Sequence, residues 1–166
     1  MDAAPAALLD LGNRHLKLLW PGAAVPQVLA WAEPEALARL AKLIAERVAP
    51  GEWIWLASSA PQAEPLLAPA WEGYRLRMLE PEDVPLPRRT EGTGLDRLLA
   101  GFAAWQEQPT RPVLVASLGT AFTLDLVSAD GHFLGGAIGP GLGVQRQALD
   151  RACPHLGAGR SSRETP

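Results

Sequence analysis

Three short segments of this chain combine the residue types that phosphoryl transfer requires. The first is "DLGNRHLK", Asp10 to Lys17. A carboxylate at a strand end can hold Mg²⁺ directly or through water, a Gly-Asn turn can direct N–H groups at a phosphate, and Lys17 can neutralise its charge. The same residues also suit an ordinary hairpin with a solvent-facing lysine, its Gly12-Asn13 turn taking positive φ angles. The second, "SLGTAFTLD", sets a Gly-Thr turn after an apolar strand, with Thr120 and Thr123 bringing hydroxyls and Asp125 a carboxylate. Strand alternation alone turns Asp125 to solvent, opposite Phe122, Leu124 and Leu126. The third, "TGLDRLL", opens an amphipathic run. Thr93 and Asp96 have the T-x-x-D spacing of a capping box, which spacing by itself favours. At the same place Asp96 could take a proton from an attacking hydroxyl while Arg97 anchors an acidic substrate. Two glycine turns in one protein could also converge on one anion from opposite sides.

These residues need a scaffold, and the apolar pattern describes an α/β one. "AALLDLGNRHLKLLW" reads as two strands joined at Gly12-Asn13, with Leu16, Leu18 and Trp20 on one face of the second. Pro34 opens a helix in which Leu37, Leu40, Ile44 and Val48 recur at helical spacing. "EWIWLAS" is a buried strand whose Trp53 and Trp55 are expected in the core, and "YRLRML" is another strand. A proline-rich loop follows, then a helix with the stripe Leu95, Leu98, Leu99, Phe102 and Trp105. Beyond Arg111, "VLVAS", "AFTLDLV" and "FLGGAI" are strands, with "SADGH" a hairpin turn between the last two. A final helix covers "GVQRQALDRAC", and the tail from about residue 157 is expected to be disordered. The change of pattern puts a domain boundary near Arg111, giving units 1–111 and 112–166.

Composition excludes several classes of function. The chain has 166 residues and a formal net charge of −3, with no basic stripe to suggest nucleic acid. Cys153 is the lone cysteine, so neither a disulfide framework nor a cysteine-rich zinc site is available. No apolar run approaches the roughly 18 residues of a membrane span, and the N-terminus lacks the basic region of a signal peptide. A cytoplasmic protein with no membrane partner is expected.

Taken in order, "DLGNRHLK", "GLDR" at the head of a helix and "GTAFTLDLVSADGHFLGGAIGPGL" resemble the signature of type III pantothenate kinases. Those enzymes belong to the acetate and sugar kinase, Hsp70 and actin superfamily. The resemblance runs from about Ala7 to Leu149 and implies a ribonuclease-H-like mixed sheet with flanking helices, paired with a second lobe across a nucleotide cleft. It implies ATP and Mg²⁺ as cofactors, pantothenate as phosphate acceptor and a homodimer. Residue by residue, Asp10, Leu11, Gly12, Asn13 and Lys17 would bind ATP phosphates, with Asp10 on Mg²⁺. Gly119 and Thr120 would contact ATP, Gly94, Leu95, Asp96 and Arg97 would contact pantothenate, and Asp96 would be the proton acceptor. Gly135-Gly136 and Gly139 to Gly141 would let backbone pass close to substrate.

The sequence departs from that pattern in four respects. Arg14 stands where a Thr or Ser follows Gly-Asn. Ser117 replaces the carboxylate that holds a monovalent cation (K⁺ or NH₄⁺) in many members, and no tyrosine precedes "GLDR" in the loop. Members also continue well past the P-G-L segment, which implies that the second lobe here is incomplete and the protein truncated at its C-terminal end. The alternative reading is therefore a catalytically inactive binding or regulatory relative of the accessory-factor kind.

Overall fold

The computed structural model describes residues 4–156; the tail expected to be disordered from about 157 lies outside them. Strict alternation of buried side chains makes β1 (Ala7–Leu11) and β2 (His15–Leu19) an antiparallel pair. The polypeptide adds β3 (Gln27–Ala30), crosses through α1 (Ala36–Ala45) to β4 (Trp53–Ser58), and reaches β5 (Arg75–Met78) by way of a 3₁₀ stretch over Pro61–Ala70. The sheet order is β3-β2-β1-β4-β5, with β4 parallel to β1 and β5 parallel to β4. A sheet that is part hairpin and part crossover is mixed, and β1 is its central strand.

One face of this sheet is covered by α1. Leu9, Leu11, Leu16, Leu18, Ile54 and Leu56 meet Leu40 and Ile44 there, all of them buried. That cluster removes the expectation that Trp53 and Trp55 sit in the core. They occupy the opposite face, half exposed, with the guanidinium of Arg75 stacked 5.8 Å from the Trp53 ring and that of Arg77 5.0 Å from Trp55. Helix α1 begins at Ala36 with Glu35 as N-cap, so Pro34 belongs to the preceding turn and does not open the helix.

The second half of the molecule forms α2 (Leu95–Glu107), then β6 (Val113–Leu118), β7 (Ala121–Val127) and β8 (Phe133–Pro140) in an antiparallel sheet of order β6-β7-β8, then α3 (Leu142–Ala152). Helix α2 packs its Leu95 and Leu98 against Val127 and Phe133, forming a second apolar cluster with Val84 and Leu86. Gly101 makes that approach close, since a Cβ there would lie 3.2 Å from Val127 and 3.4 Å from Phe133. The other face of the sheet leaves Leu114 and Leu118 exposed. Among the described residues no helix is long and apolar enough to cross a membrane.

Leu98 is 0% exposed at the centre of the second cluster. Leu98→Ala is expected to lower the free energy of unfolding by about 2–5 kcal/mol, because the cavity adds to the lost transfer energy. A urea-denaturation loss below about 1 kcal/mol would contradict the packing of α2 on β7 and β8.

Candidate active site

Parallel strands tend to place ligands at their carboxyl ends, and β1 and β4 end side by side. In register, Asp10 of β1 lies between Lys17 of β2 and Ala57 of β4. Lys17 Nζ donates to Asp10 Oδ2 at 2.8 Å, and both side chains are well exposed. Such an exposed pair contributes only about 0.2–1 kcal/mol, so it is easily separated.

The β1–β2 turn is held from below. Gly12 N–H donates to His15 O at 2.9 Å, the Trp31 indole N–H donates to Gly12 O at 2.8 Å, and Trp31 N–H donates to Arg14 O at 3.0 Å. Neither Gly12 nor Asn13 takes a positive φ, contrary to the hairpin expectation. Glycine suits position 12 for room, because a Cβ would stand 3.0 Å from His15 O. Arg14 makes no ion pair among the described residues, and its guanidinium lies over Gly143 in the first turn of α3, where a Cβ would be 3.3 Å from Nη1.

The second turn links β6 to β7. Gly119 N–H donates to Ala121 O and Gly141 N–H donates to Thr120 O, each at 2.9 Å. A Cβ on Gly141 would fall 2.0 Å from Gly119 O, so the segment before α3 is pressed directly on the turn. The neighbouring glycines have protein neighbours too. Gly135, at φ +101, lies against Thr90, while Gly136 lies against Leu124 O and the Asp125 carboxylate. The expected approach is to substrate; at Gly135, Gly136 and Gly141 the close neighbours are the protein's own atoms.

The third element is the start of α2. Its N-cap is Gly94, and no side-chain hydrogen bond caps it. The expected capping box does not form, because the Thr93 hydroxyl pairs instead with the Thr90 hydroxyl at 2.9 Å. Asp96 Oδ1 accepts the Arg97 N–H at 2.9 Å and the carboxylate stays exposed. Arg97 is tied differently. Its Nε donates to both oxygens of Asp125, at 3.0 and 3.1 Å, and its Nη2 donates to Oδ1. Asp125 is 1% exposed, which overturns the solvent-facing reading. Thr123, Asp125 and Val127 share the buried face of β7. The Asp125 hydrogen bonds raise the Arg97 pKa above its ordinary value, so the guanidinium stays charged.

These elements enclose a cleft of about 500 Å³. Asp10, Gly12, Asn13, Lys17, Asp96, Arg97, Ser117, Gly119 and Thr120 all line it. Leu11, Gly94 and Leu95 do not: Leu11 and Leu95 are buried core residues and Gly94 is the helix cap. His15 and Ser59 line the cleft without having been singled out in the sequence. Ser59 could have been found from its place just past the end of β4. Thr123 lines it as well, with a buried hydroxyl that has no hydrogen-bond partner among the described residues.

Among the described residues no three His, Cys, Asp or Glu side chains gather for a metal. The carboxylates lining the cleft are those of Asp10 and Asp96, and the hydroxyls are those of Ser59, Ser117, Thr120 and Thr123. That set fits Mg²⁺ carried in on a nucleotide, since Mg²⁺ commonly keeps waters and phosphate oxygens beside one or two carboxylates. Ser117 offers a neutral hydroxyl, so this chain supplies no carboxylate at that position for a monovalent cation.

Fold and cleft together define an α/β protein in which the turn after β1, at the carboxyl ends of parallel β1 and β4, shares one cleft with the β6–β7 turn and the first turn of α2. The chain belongs to the type III pantothenate kinase family, whose pattern it matches over residues 7–162. It is 36% identical over 144 residues to the type III pantothenate kinase of Synechococcus sp. (strain JA-2-3B'a(2-13)), covering 84% of this chain and 49% of that protein. With that of Rhodopirellula baltica it shares 43% over 94 residues, covering 52% of this chain and 34% of the other. With that of Roseiflexus sp. (strain RS-1) it shares 36% over 106 residues, covering 64% and 38%. The matches thus span between a third and a half of the length of these relatives.

Proposed function

We propose that this protein transfers the γ-phosphate of Mg-ATP to the 4'-hydroxyl of pantothenate, the first step of coenzyme A biosynthesis. The observation that carries the reading is the convergence of Asp10, Lys17, Asp96, Arg97 and the Gly119-Thr120 turn on one cleft. Family membership and relatives named type III pantothenate kinase support the acceptor.

In this reading the acceptor oxygen attacks the γ-phosphorus, its proton passes to the Asp96 carboxylate, and the bond to the bridging oxygen breaks to release ADP. Phosphoryl transfer leaves little covalent work to the protein, so alignment and charge compensation dominate. Lys17 leaves Asp10 to meet the phosphates, while the Thr120 turn faces them from the other sheet. Mg²⁺ supplies charge neutralisation on the phosphate oxygens, with Asp10 as the carboxylate able to hold it. Arg97 binds the pantothenate carboxylate. No step in this scheme passes through a monovalent cation at Ser117.

The mixed sheet then corresponds to a ribonuclease-H-like lobe over 1–111, and the β6-β7-β8 sheet to an incomplete second lobe over 112–166, with α2 bridging them. A cytoplasmic homodimer completes the proposal. The test is coupled ADP release by the purified protein with Mg-ATP, with and without pantothenate. Pantothenate-dependent release is expected. Binding of both ligands without release would leave an inactive binding relative, and binding of neither would end the reading.

A further inference from the structure

The least expected group in the cleft wall is Asp125, a carboxylate almost wholly removed from water in the middle of β7. Several features of the sequence make its position possible. Alternation along β7 turns it toward α2, and the helix brings Arg97 to it from 28 residues away. Opposite it, β8 carries Gly136, where a Cβ would stand 2.7 Å from Asp125 Oδ1 and 1.9 Å from Leu124 O. No larger residue fits there without moving the strand.

A guanidinium presents its donors in a rigid plane. Asp125 takes the Nε–Nη2 edge, which fixes the plane and leaves the Nη1 donors as the remaining edge. Replacing a buried ion pair by apolar side chains is often neutral or stabilising, so stability alone gives no reason for this one. What the pair does supply is a cation with one orientation at the cleft wall. The partnerless Thr123 hydroxyl lies one alternation step away on the same face, in the same wall.

We propose that Asp125 is a positioning residue, clamping Arg97 so that its free edge selects acceptors bearing a carboxylate over neutral ones. This rests on the kinase reading and adds the source of its acceptor specificity. Without the clamp Arg97 retains its charge but loses its fixed direction, so discrimination falls while attraction to anions in general remains.

Titration calorimetry of the 166-residue protein separates the possibilities, using pantothenate, a neutral amide analogue of it, and Mg-ATP as probes. The wild type is expected to prefer the carboxylate by about tenfold or more, as a directed charge-assisted contact should. Asp125→Asn keeps the size of the side chain but sets an amide against the guanidinium. It should cut the preference severalfold, to what undirected charge alone gives, and leave the Mg-ATP affinity within about twofold, because only the acceptor contact depends on the clamp. In parallel, the Arg97 Nε–H resonance, sequestered in the wild type, should exchange freely in the variant. If Asp125→Asn does not fold, Arg97→Lys serves: it keeps the charge without the fork and should show the same severalfold fall in preference.

A variant that retains the full preference overturns the positioning role and leaves the kinase reading standing. A wild type that binds Mg-ATP but neither acceptor overturns the acceptor assignment, and the specificity proposal with it.

Discussion

Asp96→Asn is expected to reduce pantothenate-dependent ADP release by about 10²–10⁴-fold, the usual contribution of a positioned general base. The loss should fall on turnover alone. Asp96 is exposed at the start of α2, and its one hydrogen bond, accepted from the Arg97 N–H, is one that an asparagine Oδ1 can keep. The melting temperature and the Mg-ATP affinity should therefore match those of the wild type. What asparagine lacks is a site for the acceptor proton. A loose transition state lowers the demand for a strong base, which argues for the lower part of the range. Residual release above about a tenth of wild type would remove Asp96 from the proton-accepting role, since that is less than a general base contributes.

A second large effect, on structure rather than on turnover, is expected at Gly136. A Cβ there would lie 1.9 Å from Leu124 O, a backbone atom that cannot turn aside. Gly136→Ala must push β8 away from β7, and overpacking of this kind costs about 1–3 kcal/mol and occasionally more. Here the upper end is expected, because backbone and the Asp125 carboxylate are both displaced. Gly139 is the internal control. It lies on the same strand, and a Cβ on it would meet nothing within 4 Å. Gly139→Ala should leave stability within about 0.5 kcal/mol, as surface substitutions usually do. Equal melting temperatures for the two variants would show that the register between β7 and β8 is wrong.

How much of this was legible in the sequence depended on the range of the interaction involved. Alternation over Ala121–Val127 and the stripe from Leu95 to Trp105 are local signals, and β7 and α2 follow them. The three chemical segments were legible as motifs, and Asp10, Lys17, Asp96, Arg97 and Thr120 from them share one cleft with Ser117. By contrast, β3 has only the four residues Gln27–Ala30, too few for a period to show. In β4 both faces are apolar, so alternation separates Trp53 and Trp55 from Ile54 and Leu56 without saying which pair α1 covers. The capping box failed because Thr93 has a competing hydroxyl in Thr90, set by the conformation of the loop. Asp125 was misread because its burial depends on Arg97, a partner that no strand pattern contains. The glycines were read as making space for ligand, yet the space at Gly135, Gly136 and Gly141 is filled by Thr90, Asp125 and Gly119.

The two apolar clusters, one around Leu40 and Ile44 and the other around Leu98 and Phe133, are separate, with the cleft drawing residues from both sheets. Such a protein has two potential melting units. A ligand that grips Asp10 on one side and Thr120 on the other binds only when both are folded, and it lowers the free energy of that joint state by RT ln(1 + [L]/Kd). Occupancy of the cleft then acts on cooperativity as well as stability. Heat absorption that is broad for the free protein should sharpen as nucleotide is added, the ligand adding a second thermodynamic tie to the one that α2 makes through Ala57 of β4.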